Sequence, residues 1–322
     1  MRIAFVGGAG HHYLRRLLPG DHAVAVVTDP FDAPATDAMA DGLPLVTERF
    51  DDVGAMLRSF RPHVVSVGVV YAHGSDAIAT CLRHGVPTVA DKPVAAGWAA
   101  YGRLAELCAA SPGASLVTEF DFRARPAFRA ARDAVLGGRV GAVALVTGQK
   151  SYRWGSRPAW YAQRQHYGST LLWIASHAID ALRFVTGVEP VCVHARQANV
   201  TRGPQWGTAE DVAVATFALP NGGSAVVHAD FLRPAAAPTH GDDRLRVAGD
   251  RGVIEVVDDR CTLTTADAPP VDITDTASSR GVAHELLEAA LNGGNEFFST
   301  AESLRTAKLL LEARDLADVA TT

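Results

Sequence analysis

Short apolar runs alternate with amphipathic stretches through the first 120 residues. Arg2–Val6, Ala23–Thr28, Val64–Val70, Thr88–Ala90 and the pair Leu116 and Val117 are nearly unbroken Val, Ile, Ala and Leu. Strands without polar alternation are those of a parallel sheet covered on both faces. His12–Leu18, Val53–Phe60, Ser75–His84 and Trp98–Ala110 read as helices between them, and Leu43–Thr47 as a further short strand. Strands alternating with helices give βαβ units and a doubly wound parallel sheet.

The pattern changes after Phe122. A helix over Ala127–Leu136 stops at Gly137-Gly138, and strand-like Ala142–Gly148 follows. An aromatic and basic loop, Tyr152–Tyr167, leads to a helix over Thr170–Val185, ended by Gly187. Val191–Leu263 then holds several strands, with Val212–Leu219 and Ser224–Phe231 forming a hairpin across Pro220-Asn221-Gly222-Gly223. Ala235–Asp243 and Thr264–Ser279 read as loops. Ser299-Thr300-Ala301-Glu302 is a capping box that opens a last helix through about Val319. The prediction is an α/β protein of two domains. Residues 1–121 form the doubly wound unit, and residues 122–322 an α+β unit with a mostly antiparallel sheet.

Composition narrows the partners. The 322 residues are 48% apolar and 20% charged, with a formal charge of −5. That is a globular balance with no basic footprint, so nucleic acid is not an expected partner. No apolar run approaches the roughly 18 residues of a membrane span. Cys81, Cys108, Cys192 and Cys261 stand apart, as reduced thiols of a cytoplasmic protein do. The 12 histidines include no H-x-x-x-H or H-E-x-x-H pairing, and no metal site is expected.

Val6-Gly7-Gly8-Ala9-Gly10 lies between the first strand and the first helix. There, backbone amides can face a pyrophosphate and glycines allow close approach, although a tight turn also uses glycine for conformation alone. His11 and His12 are loop or helix-start residues near the phosphates. Asp29 ends the second strand, 22 residues after Gly7. An acid at that place accepts from the adenosine ribose hydroxyls. No Arg or Lys occurs between Asp29 and Arg49 to grip a 2′-phosphate, so NAD is expected over NADP.

Asp91-Lys92-Pro93 falls at the carboxyl end of a parallel strand, where a partly desolvated lysine can exchange a proton with a substrate hydroxyl. Farther on, Trp173, His177 and Asp180 share one helical face through spacings of four and three. His177 is a candidate proton-transfer or hydroxyl-binding group, and Asp180 supports either the helix or the histidine.

Together these residues resemble the glucose-fructose oxidoreductase, inositol dehydrogenase and rhizopine catabolism family. The resemblance rests on the glycine loop, Gly85-Val86-Pro87-Thr88-Val89-Ala90-Asp91-Lys92-Pro93, Phe120-Asp121-Phe122-Arg123-Ala124-Arg125-Pro126, and Gly168 through His177-Ala178-Ile179-Asp180. It implies an N-terminal Rossmann domain, a C-terminal domain with an open sheet, and homodimers or homotetramers formed through that sheet. It also implies NAD(P)-dependent hydride transfer on sugars, cyclitols or related polyols. Lys92, His177 and Asp180 become the catalytic candidates. Gly7, Gly8, Gly10, His11, Asp29, Val70, Tyr71, Asp91 and Lys92 become the cofactor candidates, with Val69-Val70-Tyr71 replacing the family's Thr-Pro-Asn. Asp91 stands where the family usually has Glu. Trp173 stands where it commonly has an acid, four residues before the histidine.

The loop Tyr152-Arg153-Trp154-Gly155-Ser156-Arg157-Pro158-Ala159-Trp160-Tyr161 sets aromatic faces beside guanidinium groups. Such a set suits a pyranose ring or, equally, a protein interface. Tyr152, Arg153, Trp154, Arg157, Trp160, Trp173 and His177 are the substrate candidates with Arg123, which like Arg125 serves either the cleft or the start of a helix. The leading expectation is hydride transfer between NAD and a secondary alcohol or ketone, with Lys92 relaying the hydroxyl proton and His177 polarising the oxygen. Redox-assisted elimination or glycoside cleavage is one alternative. A dinucleotide- or metabolite-sensing protein without catalysis is the other.

Overall fold

The computed structural model describes residues 1–319 other than Pro19, Pro112 and Ala114. The chain divides into two compact units, one of residues 1–120 with 281–308 and the other of residues 121–280 with 309–322.

The first unit opens with β1 (Arg2–Val6) and β2 (Ala23–Val27), followed by α1 (Ala33–Asp41), β3 (Glu48–Phe50) and α2 (Val53–Ser59). It continues through β4 (Val64–Val67), α3 (Gly74–Arg83), β5 (Thr88–Ala90), α4 (Trp98–Ala110) and β6 (Leu116–Thr118). All six strands are parallel, in the order β3-β2-β1-β4-β5-β6. Ile3, Ala4 and Phe5 in the central strand are fully buried, as expected of a strand covered on both faces.

Three local expectations differ from this unit. The helix expected over His12–Leu18 is a single 3-10 turn, Tyr13–Leu17. It cannot start earlier because His12 is in the left-handed conformation at φ 46°, and Pro19-Gly20 follow closely in the sequence. The strand expected over Leu43–Thr47 forms instead at Glu48–Phe50, beyond Pro44, which lacks the ladder N–H. The unexpected α1 has a readable start, since the Asp32 carboxylate accepts the Ala35 N–H at 3.2 Å.

The second unit begins with a 3-10 turn at Asp121–Ala124 and α5 (Pro126–Leu136). Next come β7 (Val143–Tyr152), α6 (Arg164–Tyr167), α7 (Thr170–Trp173) and α8 (Ala175–Thr186). Seven strands follow: β8 (Val191–Ala198), β9 (Val212–Ala218), β10 (Ser224–Asp230), β11 (Gly241–Gly249), β12 (Gly252–Val257), β13 (Arg260–Thr265) and β14 (Ala268–Asp272). They join β7 in an eight-stranded sheet ordered β14-β13-β12-β11-β7-β10-β9-β8. Only the β7–β10 pair is parallel. The expected hairpin is β9–β10. Part of the expected 264–279 loop is β14, whose Pro269 and Pro270 are tolerated at a sheet edge. The expected single helix over Thr170–Val185 is interrupted at Ile174, whose backbone angles remain helical.

The chain then returns to the first unit with α9 (Val282–Asn292) and the opening of α10 (Thr300–Val319). Thr300 and Ser303 accept the N–H groups of Leu116 and Thr118 through their hydroxyls, both at 3.0 Å. The division after Phe120 lies beside the expected boundary, but this C-terminal return is not visible in a linear reading. Among the described residues, no helix is long and apolar enough to cross a membrane.

Candidate active site

In the first unit the strand order reverses between β1 and β4, the place where a doubly wound sheet leaves a crevice at its carboxyl edge. Gly7 turns out of β1 at φ +76°, a conformation that L side chains resist. A Cβ on Gly10 would lie 2.6 Å from the Gly68 Cα, and one on Gly8 only 2.1 Å from the Ala35 carbonyl. The glycines therefore answer first to the chain's own close packing. His12 locks the turn, with Nε2 3.0 Å from the Gly7 carbonyl and Nδ1 2.8 Å from the Ser66 hydroxyl. Burial pushes its pKa down to about 4, so the ring is neutral, donating from Nε2 and accepting at Nδ1.

The amides at the start of the 3-10 turn are directed at carboxylates of the protein. The His11 N–H donates to Asp91 and the Tyr13 N–H to Glu119, each at 3.0 Å. In the glycine turn, the amides of Gly8 and Ala9 have no partner among the described residues and remain available to an anion.

Beside them, the carboxyl ends of β1, β4 and β2 line a cavity of about 340 Å³. Asp29, Asp51, Asp52 and Asp76 border it together with Phe31 and His73, whose rings stack at 3.8 Å. Asp29 is buried, and its two oxygens accept the N–H groups of Val70 at 2.7 Å and Phe31 at 3.0 Å. Val70 and Tyr71 are buried too. An acidic, lysine- and arginine-free lining with two donor amides close by fits a dinucleotide lacking a 2′-phosphate.

Lys92 follows β5, and its side chain is only 1% exposed. Its Nζ lies 3.3 Å from Asp91 Oδ1 and 3.2 Å from His11 Nδ1. His11 Nδ1 lies in turn 3.0 Å from Asp91 Oδ2. The Lys92–Pro93 peptide is cis. Burial alone would raise Asp91, but the adjacent Lys92 and His11 hold it well below the ordinary carboxylate range. Glu119 behaves oppositely. Burial, with Asp91 nearby, pushes it up to about 8, so it is a neutral acid at pH 7. Its Oε2 has no hydrogen-bond partner among the described residues. His11, Asp91 and Glu119 bring ligand-type atoms within 4.8 Å of one another, an arrangement that sequence spacing does not show. The Lys92 ammonium already stands against two of the three.

In the second unit α8 presents His177, 1% exposed, with Nδ1 3.1 Å from Asp121 Oδ1, an ion-pair separation without hydrogen-bond alignment. Asp121 Oδ2 accepts from Arg125 at 2.7 and 3.0 Å. Arg125 reaches on to Asp243 at 3.0 Å, and Asp243 lies 2.7 Å from Lys150 Nζ. Burial would raise Asp121, but Arg125, His177 and Lys150 outweigh it and hold the group well below its ordinary range. Burial opposes charge on Lys150 as well, yet Tyr152, Asp243 and Asp121 keep its pKa above the usual value.

Asp180 is buried. It takes both arms of Arg123 at 2.8 Å in a buried bidentate pair. That pair engages the carboxylate of one candidate with the guanidinium of another. Trp173 is buried at 5% exposure. In the aromatic loop, Trp154 meets Tyr161, Trp206 and Phe231 edge-on, and Trp160 packs on Tyr161. The Arg157 guanidinium lies over the rings of Tyr161 and Phe231 and donates to the Arg153 carbonyl at 3.2 Å. Tyr152 packs against His240. Glu119, Asp121, Lys150 and Asp243 are not among the candidates that the sequence offers, yet they stand in the clusters around Lys92 and His177. Glu119 and Asp121 had a signal, since they are acids at the apolar carboxyl end of the last parallel strand.

A six-stranded parallel sheet in this order, with a cavity at the carboxyl edge beside a glycine turn, is a dinucleotide-binding architecture. Residues 1–118 match the oxidoreductase family with an NAD-binding Rossmann fold, and residues 128–255 match the GFO/IDH/MocA C-terminal domain. The chain belongs to the GFO/IDH/MocA family of NAD-binding oxidoreductases.

Among solved structures, a Thermotoga maritima protein provisionally designated an oxidoreductase aligns at 26% identity and TM-score 0.89, over 99% of this chain and 98% of its own. Aldose-aldose oxidoreductase from Caulobacter crescentus, complexed with glycerol, aligns at 19% identity and TM-score 0.81, over 99% and 98%. Levoglucosan dehydrogenase, in complex with NADH and L-sorbose, aligns at 17% identity and TM-score 0.81, over 99% and 97%. The last two show the shared fold. None of the curated proteins matches the sequence at a significant level.

Proposed function

We propose that this oxidoreductase transfers hydride between NAD and a secondary alcohol or ketone of a sugar, cyclitol or related polyol. The observation that carries the reading is Lys92, a buried lysine at the carboxyl end of a parallel strand, held by Asp91 and His11. NAD, held at the Gly8–Gly10 turn and the Asp29 cavity, supplies the hydride acceptor. Lys92 exchanges the proton of the substrate hydroxyl, and His177, paired with Asp121, binds and polarises its oxygen. The acidic lining of the cavity supports NAD over NADP by repelling the additional 2′-phosphate. Asp29 lines that cavity with its lone pairs partly committed to backbone, so ribose binding there uses the remainder.

The test is Lys92→Ala, assayed at the nicotinamide absorbance on a panel of polyols and aldoses that includes levoglucosan and L-sorbose. Turnover should fall by about 10²–10⁴-fold while NAD still binds. Near-normal turnover in the variant would refute the role of Lys92. A Lys92→Ala/His177→Ala pair that loses no more than either single variant would support joint action in one step.

We also propose self-association through the second unit's sheet. Leu145, Ser224, Ala218 and Val191 form one row across four strands, and Leu145 and Val191 are exposed at 42% and 63%. The row lies opposite the face where Gly148 meets Ala178 of α8. Light scattering that finds only a monomer at working concentration would overturn this.

A further inference from the structure

Lys92 poses a problem of proton traffic. Oxidation of a secondary alcohol breaks a C–H bond, whose hydride goes to the nicotinamide, and an O–H bond, whose proton goes to the neutral Lys92 amine. Each turnover therefore leaves an ammonium that must lose one proton before the next, and its side chain is only 1% exposed. Resting on the reading of Lys92 given above, we propose that His11 is the relay by which that proton reaches solvent.

The geometry is specific. His11 Nδ1 lies 3.2 Å from Lys92 Nζ, within direct transfer distance, and the His11 side chain is 30% exposed. An imidazole can take a proton at Nδ1 and release another from Nε2, which carries one proton outward, and rotation of the partly exposed ring restores the Nε2–H tautomer for the next turnover. Asp91 touches both ends. One of its oxygens is 3.3 Å from Nζ and the other 3.0 Å from Nδ1, so the proton stays against the same anion on either group. Glu119 and the neutral His12 also face this cluster, Arg15 bears on His12, and the Tyr13 ring stacks on His11 at 5.3 Å. Glu119 in its acid form adds no second anion to pin the proton on Lys92. In reduction of a ketone the same path runs inward.

The experiment compares wild-type enzyme, His11→Gln and His11→Ala, with NAD and whichever panel polyol or aldose is turned over. Gln can replace the hydrogen bond to Asp91 but carries no proton, whereas a merely structural role would survive the exchange. Steady-state kcat should fall at least tenfold in both variants, as loss of a proton-transfer group predicts. Added imidazole should restore it in a concentration-dependent way. Wild-type enzyme should show no imidazole dependence. Full activity in His11→Gln, or a loss that imidazole leaves untouched in both variants, overturns the relay. Failure of the underlying reading is separately visible, because Lys92→Ala would then remain active.

Discussion

Glu119 gives the first unit a stability term whose sign is unusual for a carboxylate. Its folded pKa is raised from the ordinary 4.5 to about 8. Between those values the folded protein holds a proton that the unfolded chain has released. Stability therefore falls as pH rises from about 4.5 to 8, and is flat above. At about 1.4 kcal/mol per pH unit, the penalty reaches at most about 5 kcal/mol at pH 8 and beyond. Glu119→Gln replaces the neutral acid by a neutral amide of nearly the same shape, and its oxygen can still accept the Tyr13 N–H. The variant should match wild type near pH 4.5 and exceed it by several kcal/mol near pH 9. Urea unfolding of the cofactor-free protein at both pH values, followed by a probe in the first unit, reads the difference. If the advantage of the variant is no larger at pH 9 than at pH 4.5, then Glu119 is ionised in the folded protein. The charge balance drawn for the Lys92 cluster would then fail.

Two further outcomes test the second unit. Asp121→Asn leaves the fold in place but weakens the orientation of His177, so kcat should fall about 100-fold with little change in NAD affinity; unaltered kcat would remove Asp121 from the site. Asp180→Asn strands the Arg123 guanidinium in the interior and should cost about 3–5 kcal/mol by denaturant unfolding, a loss that Arg123→Met on the same background should partly relieve. If instead Asp180→Asn is as stable as wild type and merely inactive, Asp180 acts in chemistry rather than in holding α8.

Most of the α/β skeleton was legible because its signals are local. Trp98–Ala110 forms over the expected residues, and the β9–β10 hairpin closes on the Pro-Asn-Gly-Gly turn that announces it. What could not be read is set at long range. The return of α9 to the first unit depends on which apolar surfaces meet, and the chain records no such choice in any single segment. The same holds for the site. Position and spacing single out Lys92 and His177 as candidates, but not the groups that they meet. His11 is 80 residues from Asp91, and Asp121 is 56 from His177, so only folding shows that these are pairs. Asp180 shows the converse, since helical spacing put it on the face of His177 while its carboxylate was claimed by Arg123.

Two of the departures from the family pattern, Trp173 and Asp91, make sense once those pairs are known. An acid is missing at Trp173, and the residue there is buried where a carboxylate would need its own counter-charge. The second unit supplies the carboxylate from the turn at Asp121 instead, and Arg125 and Lys150 keep it ionised. At the lysine, Asp91 is one methylene shorter than the usual Glu. Its oxygens still lie near Nζ, and they also take the His11 amide and approach the His11 ring. In both places the charge lost from one position in the sequence is recovered from another that folding brings near. The chemistry of a general acid depends on which charges surround it, not on which segment contributes them. A comparison by aligned position alone would mark this chain as an enzyme with two defects, whereas the geometry within each unit sets an ionised carboxylate against each of Lys92 and His177.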